Sequence, residues 1–249
     1  MGIPFHSLSR AAISLTLLTA TLWSVLPLPV QAQYTPPDRG LPGRREGGGT
    51  RGNGCATSDR PLTALAPQFV VDGTVSIYGT TVSETPKLYW YVPAVNAQAL
   101  EFVLLDEDGD EVYLETLPAN ETPGIVGVEV PAAENSTLSR LTPNQDYHWF
   151  FSVVCDTSDR SGDVISEGWV RRIPAETSLE AQLTTTPPTQ HAGELAQAGV
   201  WFDALNTAAQ QRCLQPEDMS SLEQWNTLLG SIGLENLTDA PLLESCPAN

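Results

Sequence analysis

From Pro61 onward the chain alternates short apolar and β-branched runs with turn residues. That period-two texture predicts strands over Thr74–Tyr78, Lys87–Val92, Ala99–Leu105, Glu111–Leu117, Gly124–Val130, Asp146–Cys155 and Glu167–Ile173. Glu101–Leu105 and Glu111–Leu114 flank Asp106-Glu107-Asp108-Gly109-Asp110, whose Asp-Gly step marks a hairpin. Strands at this spacing predict an immunoglobulin- or fibronectin-III-like antiparallel sandwich. Leu141-Thr142-Pro143 followed by Tyr147 has the spacing of a tyrosine corner, in which the Tyr hydroxyl ties back to upstream backbone. Along that strand Tyr147, Trp149 and Phe151 face one way and His148, Phe150 and Ser152 the other.

After Pro174 the period becomes helical. Thr177-Ser178-Leu179-Glu180 reads as a capping box for a short helix that stops at Pro187-Pro188. Further helices are predicted over Thr189–Ala198, closed by Gly199, and over Trp201–Leu214. A fourth starts at Ser220-Ser221-Leu222-Glu223, carries Leu222, Trp225, Leu229 and Ile232 on one stripe, and ends at Gly233. The tight turn at Gly199 is similar to one tetratricopeptide unit, and one unit is not an array. A small helical hairpin covering the sandwich is the expected role, with a partner-binding groove as the alternative.

Two stretches at the start fit neither period. Arg10 precedes an apolar run from Ala11 to Leu26, and Val30-Gln31-Ala32 offers small residues for cleavage. The run is about 16 residues, short of the roughly 20 that span a bilayer, so residues 1–32 read as an export signal. No later stretch is long enough to span a membrane. Residues 33–60 follow, rich in Pro, Gly and Arg with no apolar period, and read as an irregular arm. The expected organisation is signal 1–32, arm 33–60, β-domain 61–175 and helical region 176–249.

Net charge is −18, which repels nucleic acid and anionic lipid and otherwise serves solubility. The four cysteines, Cys55, Cys155, Cys213 and Cys246, form no Cys-x-x-Cys pair and have only His148 and His191 for company after cleavage, so disulfides outrank zinc. Three connectivities exist. Keeping each bridge within one region selects Cys55–Cys155 and Cys213–Cys246, worth roughly 4–5 and 3–4 kcal/mol in the chain-entropy model.

Catalysis finds little support. The nucleophile-elbow, Walker, zincin and dinucleotide motifs are missing from the sequence, and the densest carboxylates lie in the Asp106–Glu111 turn. No cofactor is implied. Beside zinc, calcium is the other candidate cation: Asp106-x-Asp108-x-Asp110 fails as an EF-hand because Glu111 stands where Gly is needed. The loop Asp156–Asp163, with Asp159 between, is a second oxygen-rich candidate. The arm's Arg39, Arg44, Arg45 and Arg51 could grip an anion, or the chain's own acids. If Cys55 pins the arm beside Cys155, these guanidiniums should lie near Asp156, Asp159 or Asp163.

The block Pro36-Pro37-x-Arg39-Gly40-x-Pro42-Gly43-Arg44-Arg45-Glu46-Gly47-Gly48-Gly49-Thr50-Arg51-Gly52 resembles the signature of a cyanobacterial family known only as domain of unknown function 928. Leu62–Leu65, Tyr89–Pro93, Glu101–Leu104, Cys155-Asp156-x-x-Asp159-Arg160-Ser161, Gly168–Val170 and Gly199–Leu205 are similar to its further blocks. The resemblance spans nearly the whole chain after residue 32. It implies export and assigns no catalytic residues. The expected function is a non-catalytic binding or scaffolding module of the cell envelope, periplasmic or secreted, acting on an envelope protein or glycan. One alternative is a carbohydrate-binding module or glycan-active enzyme with Tyr89, Trp90, Tyr91 or Trp169 as stacking platform. The other is a periplasmic sensor or accessory partner using the helices.

Overall fold

The computed structural model describes residues 1–2, 33–49, 55, 60–119, 121–130 and 138–243. All but two residues of the expected export signal therefore lie outside the described residues. The first structured stretch is the surprise. Arg44–Gly49 is a strand, β1, inside the sheet, where an irregular segment was expected.

Nine more strands follow: β2 (Thr63–Ala64), β3 (Gln68–Val71), β4 (Thr74–Thr81), β5 (Lys87–Val92), β6 (Ala99–Leu105), β7 (Glu111–Leu117), β8 (Gly124–Glu129), β9 (Asp146–Val154) and β10 (Val164–Arg172). They form one mostly antiparallel path, β7-β6-β9-β10-β1-β2-β5-β8, with β4 and β3 branching beside β10. The edge of β10 is divided. Glu167, Ile165 and Val164 pair antiparallel with Arg44, Gly48 and Gly49 of β1. Trp169–Arg172 pair parallel with Tyr78–Thr81 of β4. Where a sandwich has two separate sheets, β1 here joins the two ends into a single sheet curled as a half-barrel.

The curl closes around Trp90 of β5. Its ring stacks on Phe151 of β9 at 4.5 Å and 10°, and meets Trp149 edge-on at 5.4 Å. Such pairs add about 0.5–1.5 kcal/mol each beyond the area they bury. Tyr147, Trp149, Phe151 and Val153 are all buried, as period-two alternation requires. The Tyr147 hydroxyl accepts the Thr142 N–H at 3.0 Å, so the tyrosine corner forms.

Four helices cover one side: α1 (Thr177–Thr185), α2 (His191–Gln197), α3 (Trp201–Leu214) and α4 (Met219–Gly230). Gly199, at φ 78°, makes the turn between α2 and α3 that a side chain would strain. The predicted capping box of α1 does not form; Glu176 is the N-cap and makes no side-chain bond there. At α4 the cap is Asp218, whose carboxylate accepts the Ser221 N–H at 2.9 Å, two residues before the expected Ser220. Trp201, Phe202, Ala204, Leu205, Ala208 and Ala209 of α3 are buried. The Trp201 indole N–H donates to the Leu65 carbonyl at 2.8 Å. The face that a tetratricopeptide groove would offer is thus filled by the protein's own sheet. Beyond the helices, Pro241–Leu243 returns to the sheet: its backbone exchanges bonds of 2.7 and 2.9 Å with Ile125 on the outer edge of β8.

Candidate functional site

The arm reaches the sheet as a string of docked residues. Tyr34 packs edge-on against Trp201 at 5.0 Å, and the Thr35 N–H donates to the Ala196 carbonyl. At Gly43 an added Cβ would lie 2.8 Å from the Glu167 carbonyl; at Gly47 it would lie 2.6 Å from Val164 and 2.9 Å from Leu62. Glycine is needed there because β1 threads between strands too close to leave room for a side chain.

The described arginines of the arm bind the chain's own groups. Arg39 pairs with Asp146 at 2.6 Å, Arg44 with Glu167 at 3.3 Å, and Arg45 donates to the Ile232 carbonyl at 2.8 Å. Arg51 lies outside the described residues. Burial lowers the Arg45 pKa, with Glu46 and Glu235 opposing. Asp146 is the focus of a small buried network, since Arg171 and the Tyr78 hydroxyl also donate to it, each at 3.0 Å. Burial, then the Asp146 charge, pushes the Tyr78 phenol well above its ordinary pKa. Sequence reading missed this network; its only signal was a charged residue at the start of an apolar strand.

Arg39, Arg44 and Arg45 do not reach the acidic loop. Asp163 is taken by Arg160 and by the Cys155 N–H. Arg160 also grips Glu101 at 2.7 Å. Asp156 accepts from Ser158, and Asp159 from Ser161, which holds both carboxyls below their ordinary pKa. Donors a few residues away satisfy each carboxylate before a remote arginine can. Among the described residues, no three His, Cys, Asp or Glu side chains gather as a metal would require.

The disulfide that joins arm and loop is present, Cys55–Cys155. Cys213 is also disulfide-bonded, while Cys246 lies outside the described residues.

Of the four candidate stacking aromatics, Tyr89, Trp90 and Tyr91 are buried at 4% exposure or less. Tyr89 spends its hydroxyl on Asn206. Trp169 alone reaches the outer face of the sheet, half-buried. It stacks on His148 of β9 at 4.2 Å and 6°, and its N–H donates to the Pro42 carbonyl at 2.8 Å. Phe150 lies 4.2 Å from the same His148 ring. The register extends this face: Leu105, His148 and Trp169 form one cross-strand row, and Leu114, Val103, Phe150, Glu167 and Arg44 the next. His148 Nε2 stands 3.6 Å from Glu167, past hydrogen-bond reach. Burial lowers its pKa, and Glu167 only partly offsets this. The imidazole is therefore neutral at pH 7 and behaves as an aromatic plate. Alternation placed His148 and Phe150 outward; the Trp169 stack needed the β9–β10 register as well.

A concavity of about 240 Å³ lies between the segment Val82–Lys87 and the helices, lined among others by Leu195, Phe202, Asp203 and Asn206. Burial raises the Asp203 pKa, and the carboxyl accepts the Val82 N–H at 3.2 Å. That acid anchors α3 to the sheet.

Among the described residues, no helix is long and apolar enough to cross a membrane. No curated protein matches this chain. One solved structure, the fn3 domain of human collagen alpha-1(XX) chain, is 11% identical over 49% of this chain and 92% of that one. Its TM-score is 0.27, a likeness too distant to bear on fold or function. The family model described as Domain of Unknown Function (DUF928) matches residues 46–242, from β1 through all four helices to the segment that covers β8, and the chain belongs to that family.

Proposed function

We propose that the protein is an exported, non-catalytic binding module of a cyanobacterial cell envelope, which holds a partner protein on the outer face of its sheet. The observation that carries this reading is the His148–Trp169 stack with Phe150 against it, on an outer face that Val103, Leu105 and half-exposed Leu114 extend. Aromatic and aliphatic side chains ringed by ion pairs are the composition of a protein–protein contact. The glycan reading has less support. A sugar needs an open ring face, but Trp169 gives one face to His148 and its N–H to Pro42. The helical-groove reading has less still, because the inner face of α3 is spent on the sheet.

The test is a pull-down from envelope extract with the wild-type protein, Trp169→Ala and Leu114→Lys. One stoichiometric protein retained by wild type and lost from both variants is the expected result. Leu114 is 46% exposed, so its variant keeps the fold. Retention on purified glycan with no protein captured, or equal capture by all three, would overturn the reading.

A further inference from the structure

The sheet's outlying strands are β7, β8 and β3. Natural sheets guard such edges with cover or charge. The outer edge of β8 is covered at Ile125 by Pro241–Leu243, and β7 carries Glu111 and Glu115. Among the described residues, strand β3, Gln68-Phe69-Val70-Val71, pairs with β4 alone, and it has no charged side chain. Asp72 is the one charged residue between Arg60 and Glu84, in a chain of net charge −18. Val70 is 67% exposed and faces Val75, itself 45% exposed, across the hairpin.

The turn fixes which backbone groups point outward. Asp72 and Gly73 have φ 50° and 80°, so the hairpin has a two-residue turn of type I′. Val71 and Thr74 then form the hydrogen-bonded pair that closes it, and bonded pairs recur at every second residue. Phe69 and Pro67 therefore face β4, in agreement with the bond from the Tyr78 N–H to the Pro67 carbonyl. Gln68 and Val70 turn their N–H and C=O groups to the open edge.

We propose that β3 pairs with β3 of a second copy of this chain, antiparallel, about a two-fold axis through Phe69. In that register Gln68 of each copy lies opposite Val70 of the other, and every outward N–H meets an outward C=O. The two Phe69 rings then sit side by side at the wide position. A closed two-fold contact of this kind is self-complementary by construction. Charge selects the same occupant. Two strongly acidic copies repel one another, and the uncharged β3 hairpin is where that repulsion is weakest. Within the hairpin a basic peptide would find only Asp72 to attract it. The contact is small, so the dimer is weak and reversible.

Sedimentation equilibrium on the full chain after signal removal tests this. The expected result is a concentration-dependent dimer that strengthens as salt screens the repulsion, from about 0.05 to about 0.5 M. Val70→Pro deletes an outward N–H and leaves the inner ladder intact, so it should give a monomer with unchanged circular dichroism. If that variant melts early, Val70→Lys replaces it, adding charge to the edge without altering the backbone. Phe69→Cys should cross-link two copies under oxidation, because residues at the wide position have Cα atoms about 4.5 Å apart. A chain that stays monomeric at every concentration and salt level would overturn the proposal. So would a dimer that survives both Val70 variants and fails to cross-link through residue 69.

Discussion

The arm and the loop after β9 make an instructive pair. One is basic and glycine-rich, the other acidic, and Cys55–Cys155 bolts them together. Opposite charge and a covalent tie would make them partners, yet Arg39, Arg44 and Arg45 find their acceptors elsewhere. Strand geometry decides the arm. Successive side chains point to opposite faces, so Arg44 goes out to Glu167 while Arg45 goes through to the helical side and Ile232. Local hydrogen bonds decide the loop, where Ser158, Ser161 and Arg160 reach the carboxylates first. Complementary composition is therefore a poor guide to contact when each segment already has partners fixed by its backbone.

The largest test of this contrast removes the bolt. Cys55→Ser with Cys155→Ser should cost about 4–5 kcal/mol by denaturant unfolding, since the bridge closes about 100 residues. A cost below 1 kcal/mol would mean that the strand ladder alone holds the arm. Next, Gly47→Val forces a side chain between Val164 and Leu62 and should cost about 3 kcal/mol, the upper range for overpacking. A neutral result would show that β1 is loosely seated. Asp146→Asn, which leaves Arg39 and Arg171 without their carboxylate, should cost about 2 kcal/mol, reduced from the fully buried case because Arg39 is half exposed. Asp159→Asn in the solvated loop should leave the denaturant midpoint close to that of the wild type. If Asp159 proved the more damaging of the two, the loop and not the arm would be the structural centre. The smallest effect is that of pH. His148 has a lowered folded pKa, so the unfolded chain takes its proton first. Its contribution is whole above the unfolded value of about 6.5 and is lost as pH falls from there through the lower folded value. His148→Gln should flatten the fall in melting temperature over that window, and an unchanged slope would sever the link.

What was legible in the chain follows from which forces leave a periodic trace. Burial of α3 writes a helical stripe, and Trp201–Leu214 matches the expected range end to end. The Leu141–Tyr147 spacing likewise announced its hydrogen bond. The arm leaves no such trace, because β1 is held by backbone bonds and close approach, and Gly47 contributes by lacking a side chain. Strand β3 was passed over for a related reason: its Val70 is solvent-exposed, so no alternation marks it. At the outer face the hidden quantity was register, since nothing in His148 or Trp169 alone says that they stand opposite one another.

The divided edge of β10 has a consequence for timing. Its partners are β1 and β4, the first of them separated by more than a hundred residues of chain. A strand that emerges early from synthesis and is rich in glycine has only its short pairing with β2, at Glu46 and Thr63, until β10 arrives. Contacts this distant in sequence slow folding. Pulsed hydrogen exchange should find the amides of β1 protected late, together with Val164 and Ile165; protection of β1 ahead of β9 and β6 would refute that order.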